Sequence, residues 1–268
     1  MRIYFLWLSF CKRCPNEFEK LAMYIKGRKE NEVKMDKLYI IIPAYNEEVM
    51  IESVIAQWHQ VAVQVGSESR LVVIDDGSKD HTYEIMLKCM EKYPQLIALT
   101  KNNEGHGATV QYGYQYAIEE GADYIFQTDS DGQTLPEEFP KFWRHRKRAA
   151  MIIGNRKHRE DGFGRVVVTR VLKYVLLAVF HVYVPDANTP FRLIRTEVLA
   201  KHFSLIPDKF NLANVLVSVI FVKRKLGVEY LPITFRPRQG GVNSINLPKI
   251  FKLGVQALKD FRSLAKKI

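Results

Sequence analysis

The first half of the chain alternates short apolar runs with helical stretches, and this alternation restricts the fold more than any other feature. The runs predict buried strands at 38–42, 71–74, 96–99 and 124–127. Stretches of roughly 10–15 residues with apolar side chains at helical spacing separate them. Buried strands joined by such helices are typical of right-handed βαβ units with a parallel sheet. The sequence therefore predicts an α/β fold with a mostly parallel sheet flanked by helices, the first helix being capped by Asn46.

Two aspartates one residue apart, Asp129 and Asp131, come directly after the fourth strand. Ligands of open α/β sheets bind at the carboxyl ends of the strands, so both carboxylates are expected at the ligand-binding edge. Two hard oxygen donors suit Mg²⁺ or Mn²⁺, which binds through one or two carboxylates together with substrate phosphates. An Asp-rich turn is the simpler alternative, because Asp and Gly favour turns.

The chain of 268 residues carries a formal net charge of +11, with a pI near 9.4. Such a charge favours a polyanionic partner, which is nucleic acid, an anionic membrane surface or a phosphorylated substrate. The sequence shows no zinc finger, no RNA-recognition motif and no continuous Lys/Arg block, so nucleic acid is not expected. A membrane surface and a phosphorylated substrate remain as partners.

The predicted sheet and its helices occupy residues 37–245, between two segments of different character. Residues 1–36 form an N-terminal appendage, whose apolar start is far shorter than the roughly 20 residues of a membrane-spanning helix. Residues 246–268 combine an apolar face with many Lys and Arg side chains, a pattern typical of amphipathic helices at membrane surfaces. A helix docked on the domain is the alternative for this tail.

A further apolar segment, Val166–Val184, is interrupted by Arg170, Lys173 and His181. These side chains make an unaided bilayer span too costly. The segment is expected to form an amphipathic helix at a groove or surface, or else an ordinary core helix.

Four motifs occur in order along the first half. They are Ile41–Glu48 (IIPAYNEE), Val72–Thr82 (VVIDDGSKDHT), Asn103–Ala108 (NEGHGA) and Thr128–Gln133 (TDSDGQ). Together they resemble the motifs of family 2 glycosyltransferases, which have the GT-A fold. Within that family they are most similar to the polyprenyl-phosphate branch, which includes dolichol-phosphate mannose synthase. The resemblance covers about residues 37–245.

The resemblance implies a Rossmann-like GT-A sheet and an inverting, metal-dependent transfer of sugar from a UDP- or GDP-sugar to polyprenyl phosphate. The segments Gly154–Arg156 (GNR) and Asp186–Arg192 (DANTPFR) resemble two later motifs of the family. The resemblance assigns catalytic roles to Asp131, Arg156 and Asp186, and it assigns Mg²⁺ or Mn²⁺ to Asp129, Asp131 and Gln133. Contacts with the substrates are expected from Pro43, Tyr45, Glu47, Asp75, Asp76, Asp129, Gln133, Arg238 and Ser244. The implied location is peripheral, at the cytoplasmic inner face of a membrane.

Departures from the family pattern bear on the acceptor. Many family 2 enzymes that act on sugar hydroxyls carry a catalytic Asp or Glu in the segment that corresponds to Lys209–Val215, which here has Asn instead. Asn cannot act as a general base. A phosphate acceptor is already anionic and needs cations rather than a base, so a lipid phosphate is favoured. Asp186 is a candidate general base, so transfer onto a hydroxyl of a growing polysaccharide or a glycolipid is the alternative.

Two other positions depart from the pattern. The segment Arg238–Ser244 (RQGGVNS) resembles a late loop of the family, but one extra residue separates Gly241 from Ser244. His106 stands where the family often has a basic or aliphatic residue. We assign His106 no catalytic role, because most isolated histidines are structural.

Two other classes of protein are alternatives to a glycosyltransferase. A sugar-1-phosphate nucleotidyltransferase needs an early Gly-rich activating loop with Arg and Lys, and the Ile42–Glu48 turn has neither Gly nor Lys. A pseudoenzyme that binds a nucleotide sugar at the membrane is the alternative outside catalysis. The intact Asp129 and Asp131 argue against it.

Overall fold

The computed structural model describes residues 35–159, 163–237 and 247–268. Within these ranges seven strands form one sheet in the order β3-β2-β1-β4-β6-β5-β7. The strands are β1 Leu38–Ala44, β2 Arg70–Asp75, β3 Leu96–Thr100, β4 Tyr124–Gln127, β5 Met151–Arg159, β6 Arg192–Arg195 and β7 Val228–Phe235. The predicted α/β fold with a mostly parallel sheet is confirmed.

Eight α-helices accompany the sheet in the described residues. They are α1 Ile51–Val65, α2 Thr82–Lys92, α3 His106–Glu119, α4 Phe139–His145, α5 Phe163–Phe180, α6 Thr196–His202, α7 Ala213–Lys223 and α8 Leu247–Leu264. The predicted cap at Asn46 is wrong, because α1 begins only at Ile51. Asn46 instead lies in the preceding turn with a left-handed φ of 54°.

The first four strands form the parallel half of the sheet. β1 runs parallel to both of its neighbours, with Ile41 opposite Val72 on β2 and opposite Gln127 on β4. β3 pairs with the other side of β2, again in parallel. All residues of β1 are buried, as expected for a parallel strand covered by helices on both faces. The carboxyl ends of these strands therefore meet at one edge.

The second half of the sheet contains one strand of opposite direction. β6 pairs antiparallel with both β4 and β5, and β7 pairs parallel with β5. Arg192, the first residue of β6, lies opposite Gln127, the last residue of β4. Because β6 runs the other way, the loop that precedes it lies at the same edge as the carboxyl ends of the parallel strands.

Side chains of β1 enter a different hydrophobic core on each face of the sheet. On one face Ile41 packs beneath α3, and a Cβ on Gly113 would lie 2.3 Å from Cγ2 of Ile41. On the other face Ile40 belongs to the core that contains Trp58 and Phe126, whose rings lie 5.3 Å apart. Packing on both faces fixes the strand ends that carry the site.

The C-terminal part of helix α8 docks on the domain through apolar side chains. Phe261 and Leu264 are buried, and the ring of Phe261 lies 5.5 Å from that of Phe180. These side chains are therefore not part of a free membrane-facing stripe, and the docking alternative holds for this part of the tail. Among the residues described, no helix is both long and apolar enough to cross a bilayer.

The division into residues 1–36, 37–245 and 246–268 stays a prediction. Residues 1–34, which precede the first predicted boundary, lie outside the described part of the chain. The same is true of residues 238–246, which include the second boundary.

Candidate active site

The site lies where the loops after β1, β2 and β4 meet the loop before β6. Ala44 at the end of β1 is opposite Asp75 on β2, and Asp75 is opposite Thr100 on β3. The amide of Thr128 donates to the carbonyl of Ile41 at 3.1 Å, which ties the start of the Asp-x-Asp loop to β1. Three of the four sequence motifs thus begin at adjacent strand ends.

The first and second motifs are joined by hydrogen bonds. The Asn46 amide donates to Oγ of Ser78 at 2.9 Å, and the Lys79 amide donates to Oδ1 of Asn46 at 2.8 Å. The Glu47 amide donates to Oγ1 of Thr82 at 2.8 Å. Asn46 therefore links the two loops, a role that the sequence does not indicate because its partners are more than 30 residues away.

Three of the predicted substrate contacts, Pro43, Tyr45 and Glu47, lie at or just after the end of β1 and differ in exposure. Pro43 is buried within β1, and Glu47 is buried in the turn that follows. The side chain of Tyr45 is exposed at the tip of the strand. An exposed aromatic ring at this edge can stack on a nucleobase, and the role of all three residues stays a prediction.

Asp75 closes the turn after β2. Its carboxylate accepts hydrogen bonds from the Ser78 amide at 3.1 Å and from Oγ1 of Thr100 at 2.9 Å. A carboxylate offers about four acceptor sites, so these two bonds leave capacity for the hydroxyl groups of a ribose.

Asp76 holds the loop between β3 and α3. Its carboxylate accepts from Nζ of Lys101 at 2.7 Å and from the amides of Glu104 and Gly105 at 3.0 and 2.8 Å. Burial alone would raise the pKa of Asp76, but these hydrogen bonds outweigh it and the pKa is lowered. Asp76 therefore acts on the loop that carries the third motif, and a direct substrate contact stays a prediction.

His106, the first residue of α3, contacts the first aspartate of the Asp-x-Asp motif. Its Nε2 lies 3.0 Å from Oδ1 of Asp129, and its side chain is 50% exposed. Desolvation lowers the pKa of His106, but the charges of Asp129 and Asp131 outweigh that effect and the pKa is raised. The sequence does not indicate this contact, because it joins two motifs that are 23 residues apart in the chain.

Gln133 contacts Asp131, the second aspartate of the Asp-x-Asp motif. The Gln133 amide donates to Oδ1 of Asp131 at 3.1 Å. The Gln133 side chain donates from Nε2 to the carbonyl of Arg236 at 2.8 Å, and the Arg236 amide donates to the carbonyl of Gln133 at 2.9 Å. Gln133 thus joins the Asp-x-Asp loop to the end of β7.

The donor chemistry of this loop fits a hard divalent cation. Asp129 and Asp131 supply carboxylate oxygens, the ligand type that Mg²⁺ and Mn²⁺ prefer. In the described part of the chain, no group of three His, Cys, Asp or Glu side chains is arranged to hold a metal by itself. A cation bound here would need further oxygen ligands from the substrate, as is usual for Mg²⁺ on a diphosphate.

Arg156 and Asp186, both predicted as catalytic, form an ion pair with two hydrogen bonds. Nε and Nη2 of Arg156 each lie 2.7 Å from a different carboxylate oxygen of Asp186. The two side chains are 11% and 3% exposed. The structure therefore brings these two residues together, with the guanidinium of Arg156 also 4.8 Å from the centre of the Phe235 ring.

The segment before α7 lies across the start of α3. A Cβ on Gly107 would come within 2.3 Å of the carbonyl oxygen of Phe210 and 2.4 Å of that of Asn211. Gln111 on α3 donates from Nε2 to the same Phe210 carbonyl at 3.1 Å. The exposed side chain of Asn211 faces Gly105, so this is the asparagine that borders the site.

Arg192 is a fully buried residue of the predicted Asp186–Arg192 motif. Its guanidinium donates to the main-chain carbonyls of Thr189 at 3.0 Å, Asn214 at 2.8 Å and Ala187 at 3.0 Å. The residue therefore fixes the loop before β6 against the start of α7. The motif marks Arg192 in the sequence, but most of its partners are main-chain carbonyl groups, which carry no sequence signal. Arg192 also donates from Nη1 to Oγ of Ser218 at 3.3 Å.

Arg238 and Ser244 lie outside the described residues, and their predicted contacts stay predictions. Arg236 precedes them at the end of β7 and is held by Gln133. The other predicted site residues all lie at or beside the carboxyl edge of the sheet.

The architecture is similar to that of a solved synthase structure with a bound UDP-sugar. The glucosyl-3-phosphoglycerate synthase of Mycobacterium tuberculosis, in complex with Mn²⁺, UDP-glucose and phosphoglyceric acid, superposes with a TM-score of 0.64 at 17% identity. The match covers 86% of this chain and 80% of that one. The fold is therefore that of the GT-A glycosyltransferases.

The sequence profile of Glycosyl transferase family 2 matches residues 39–203. The chain belongs to this family, and it is a glycosyltransferase. The matched range contains Pro43, Asp75, the Asp-x-Asp motif and the Arg156–Asp186 pair, so the expected family membership is confirmed.

Curated relatives with known names act on polyprenyl phosphates. The UDP-N-acetylglucosamine–dolichyl-phosphate N-acetylglucosaminyltransferase of Methanococcus voltae is 28% identical over 74% of this chain and 85% of its own length. The undecaprenyl-phosphate 4-deoxy-4-formamido-L-arabinose transferase of Photorhabdus laumondii is 26% identical over 72% of this chain. The chain covers only 62% of that relative. The predicted similarity to the polyprenyl-phosphate branch is confirmed.

Proposed function

We propose that this glycosyltransferase transfers a sugar from a UDP- or GDP-sugar to a polyprenyl phosphate in one inverting displacement. The observation that carries the acceptor assignment is Asn211, an exposed amide bordering the site in the segment where hydroxyl-acceptor members of the family carry a carboxylate. An amide cannot take a proton from a hydroxyl. The named relatives, which act on lipid phosphates, support the same acceptor.

The donor half of the proposal rests on the edge formed by β1, β2 and β4. Asp129 and Asp131 would hold Mg²⁺ or Mn²⁺ against the diphosphate, with Gln133 beside them. The cation supplies positive charge where the departing diphosphate develops negative charge. Tyr45 would stack on the base, and Asp75 would accept hydrogen bonds from the ribose.

The acceptor half of the proposal rests on Arg156. A guanidinium has five N–H donors, and the Asp186 carboxylate accepts from Nε and Nη2 of Arg156. The other donors of Arg156 can bind a phosphate while the pair with Asp186 stays intact. A phosphate monoester is anionic at neutral pH, so it can attack the anomeric carbon without a general base. Asp186 is a poor candidate for a base, because its carboxylate would have to leave the guanidinium first.

The location follows from the acceptor. A polyprenyl phosphate resides in a bilayer, so residues 37–245 would act as a peripheral catalytic domain at the cytoplasmic face of a membrane. Arg238 and Ser244, which lie outside the described residues, are proposed as further substrate contacts.

The test compares acceptors that differ by one chemical group. Full-length protein is incubated with labelled UDP- and GDP-sugars and Mn²⁺, and offered undecaprenyl phosphate, the corresponding polyprenol without phosphate, or a lipid-linked sugar. We expect labelled lipid only with the phosphate, together with release of one nucleoside diphosphate for each sugar transferred.

Product formed only on the lipid-linked sugar would overturn the proposal in favour of a hydroxyl acceptor. Tight binding of nucleotide sugar with no transfer to any acceptor would favour a pseudoenzyme. Transfer to the polyprenol at a rate comparable to that with the phosphate would show that the anionic group is unnecessary.

A further inference from the structure

Helix α5 exposes an apolar face to solvent. Val171, Tyr174 and Leu177 follow one another at helical spacing and are 55%, 65% and 45% exposed. Tyr183, just beyond the helix, is 55% exposed. We call these four residues the α5 face. The opposite side of the helix is in the core, where Leu176 and Phe180 are buried.

An exposed apolar face on a helix that is also apolar inside needs a partner. Single exposed apolar residues are ordinary on protein surfaces, but a contiguous group usually marks an interaction site. The two tyrosines combine an apolar ring with a polar hydroxyl, a combination that is enriched at boundaries between apolar and aqueous phases.

The positively charged side chains around the α5 face favour an anionic partner. Arg170 is exposed at the edge of the face, and Nζ of Lys173 lies 4.4 Å from the centre of the Tyr183 ring. Residues 163–184 include Arg and Lys but no Asp or Glu. A basic rim around an apolar face suits a bilayer that contains anionic lipids, because apolar burial and charge attraction then act together.

The face is close to the candidate active site along the chain. Asp186, which pairs with Arg156, lies only six positions after Phe180 at the end of α5. A chain of that length spans at most about 20 Å. A bilayer in contact with the face would therefore lie within reach of the guanidinium proposed to bind the acceptor phosphate.

We infer that the α5 face docks the protein on an anionic bilayer and brings the headgroup layer to the Arg156–Asp186 pair. The inference rests on the proposed function, since a lipid phosphate must be met at its bilayer. It assigns the membrane contact to α5, whereas the basic pattern of the sequence pointed to α8. The apolar side chains Phe261 and Leu264 of α8 are already buried in the domain.

Vesicle sedimentation with full-length protein tests the inference. Vesicles consist of phosphatidylcholine alone or mixed with phosphatidylglycerol. The variant Tyr174→Ser/Leu177→Ser should lose about tenfold or more in affinity for the anionic vesicles, because it removes two apolar side chains from the contact. The matched control Val63→Ser/Leu87→Ser removes exposed apolar side chains from α1 and α2, and its affinity should match that of the unmodified protein.

The charge contribution is tested separately. Arg170→Gln/Lys173→Gln should weaken binding to the anionic vesicles roughly tenfold and reduce its salt dependence, whereas Lys88→Gln on α2 should change neither. Val171→Ser/Tyr183→Ser provides a second face variant, so that a folding defect in the first, seen by circular dichroism, leaves a test in place.

Turnover of a water-soluble, short-chain isoprenyl phosphate should be equal in all these variants. This readout separates the two proposals, because loss of vesicle binding with normal turnover concerns only the α5 face. The inference fails if the unmodified protein does not bind anionic vesicles or if both face variants bind as well as it does. It also fails if Tyr174→Ser/Leu177→Ser converts a dimer to a monomer in light scattering, which would identify a second copy as the occupant.

Discussion

Arg156 and Asp186 bind one another, although the sequence motifs that mark them are about 30 residues apart. The motif resemblance predicted a role for each residue from its own position. It could not predict the pairing, because Arg156 lies past the apolar part of β5 and Asp186 precedes β6. The antiparallel pairing of β5 and β6 brings the two segments to one edge. Stability and the proposed binding of the acceptor would therefore depend on the same side chains.

We expect Asp186→Asn and Arg156→Gln each to lower the free energy of unfolding by about 3 kcal/mol, since each leaves a largely buried charge without its partner. The double variant should lose less than the sum, with a coupling energy of about 1–3 kcal/mol. Urea denaturation of the four proteins measures this coupling. Additive losses would show that the pair contributes nothing as a pair. Arg156→Gln should in addition raise KM for the phosphate acceptor.

At the scale of elements, apolar patterns predicted where strands begin better than where they end. The apolar run at Ala150–Ile153 predicts a strand of four residues, but β5 continues to Arg159. Its polar continuation keeps pairing with β7, where Asn155 is opposite Pro232 and Arg156 is opposite Ile233. Hydrogen bonding of the main chain carries the strand past its apolar residues, and this places Arg156 in the site.

The contact between α3 and the segment before α7 depends equally on main-chain atoms. Gly107→Ala would place a methyl group against the carbonyls of Phe210 and Asn211. Because main-chain atoms cannot move aside alone, we expect a loss of about 2 kcal/mol in the free energy of unfolding. Turnover should fall as well, since His106 and Asn211 border the site.

Gly121→Ala, just beyond the other end of α3, is the control for this change. It meets open space and costs only the left-handed conformation at a φ of 68°, about 1 kcal/mol. Its turnover should be normal. Equal turnover in the Gly107→Ala variant would show that this contact does not position the site.

For the whole molecule, the ordered motifs predicted the fold and the ligand-binding edge, because each motif couples a strand to a loop at its end. The amphipathic pattern of residues 246–268 could not separate docking from membrane contact, since both cover the same apolar stripe. Only the three-dimensional arrangement shows that α8 packs inward at Phe261 while α5 leaves Tyr174 exposed. The main-chain carbonyl partners of Arg192 could likewise not be predicted from the sequence, because every residue type has the same carbonyl group.

The donor and its metal should stabilise the folded domain as a unit. A ligand that binds only the folded state at a hundredfold excess over Kd adds about 2.7 kcal/mol, and 1 kcal/mol raises Tm by roughly 2–4 °C in a chain of this size. The correct nucleoside diphosphate with Mn²⁺ should therefore raise Tm by about 5–10 °C. Asp131→Asn keeps the side-chain shape but removes the charge of a proposed cation ligand, so it should abolish most of that rise and all turnover. Glu91→Gln, an exposed charge removed from α2, should change neither. An undiminished rise in the Tm of the Asp131→Asn variant would show that nucleotide binding does not depend on the Asp-x-Asp motif. An undiminished rise for the unmodified protein with EDTA in place of Mn²⁺ would remove the metal from the proposed mechanism.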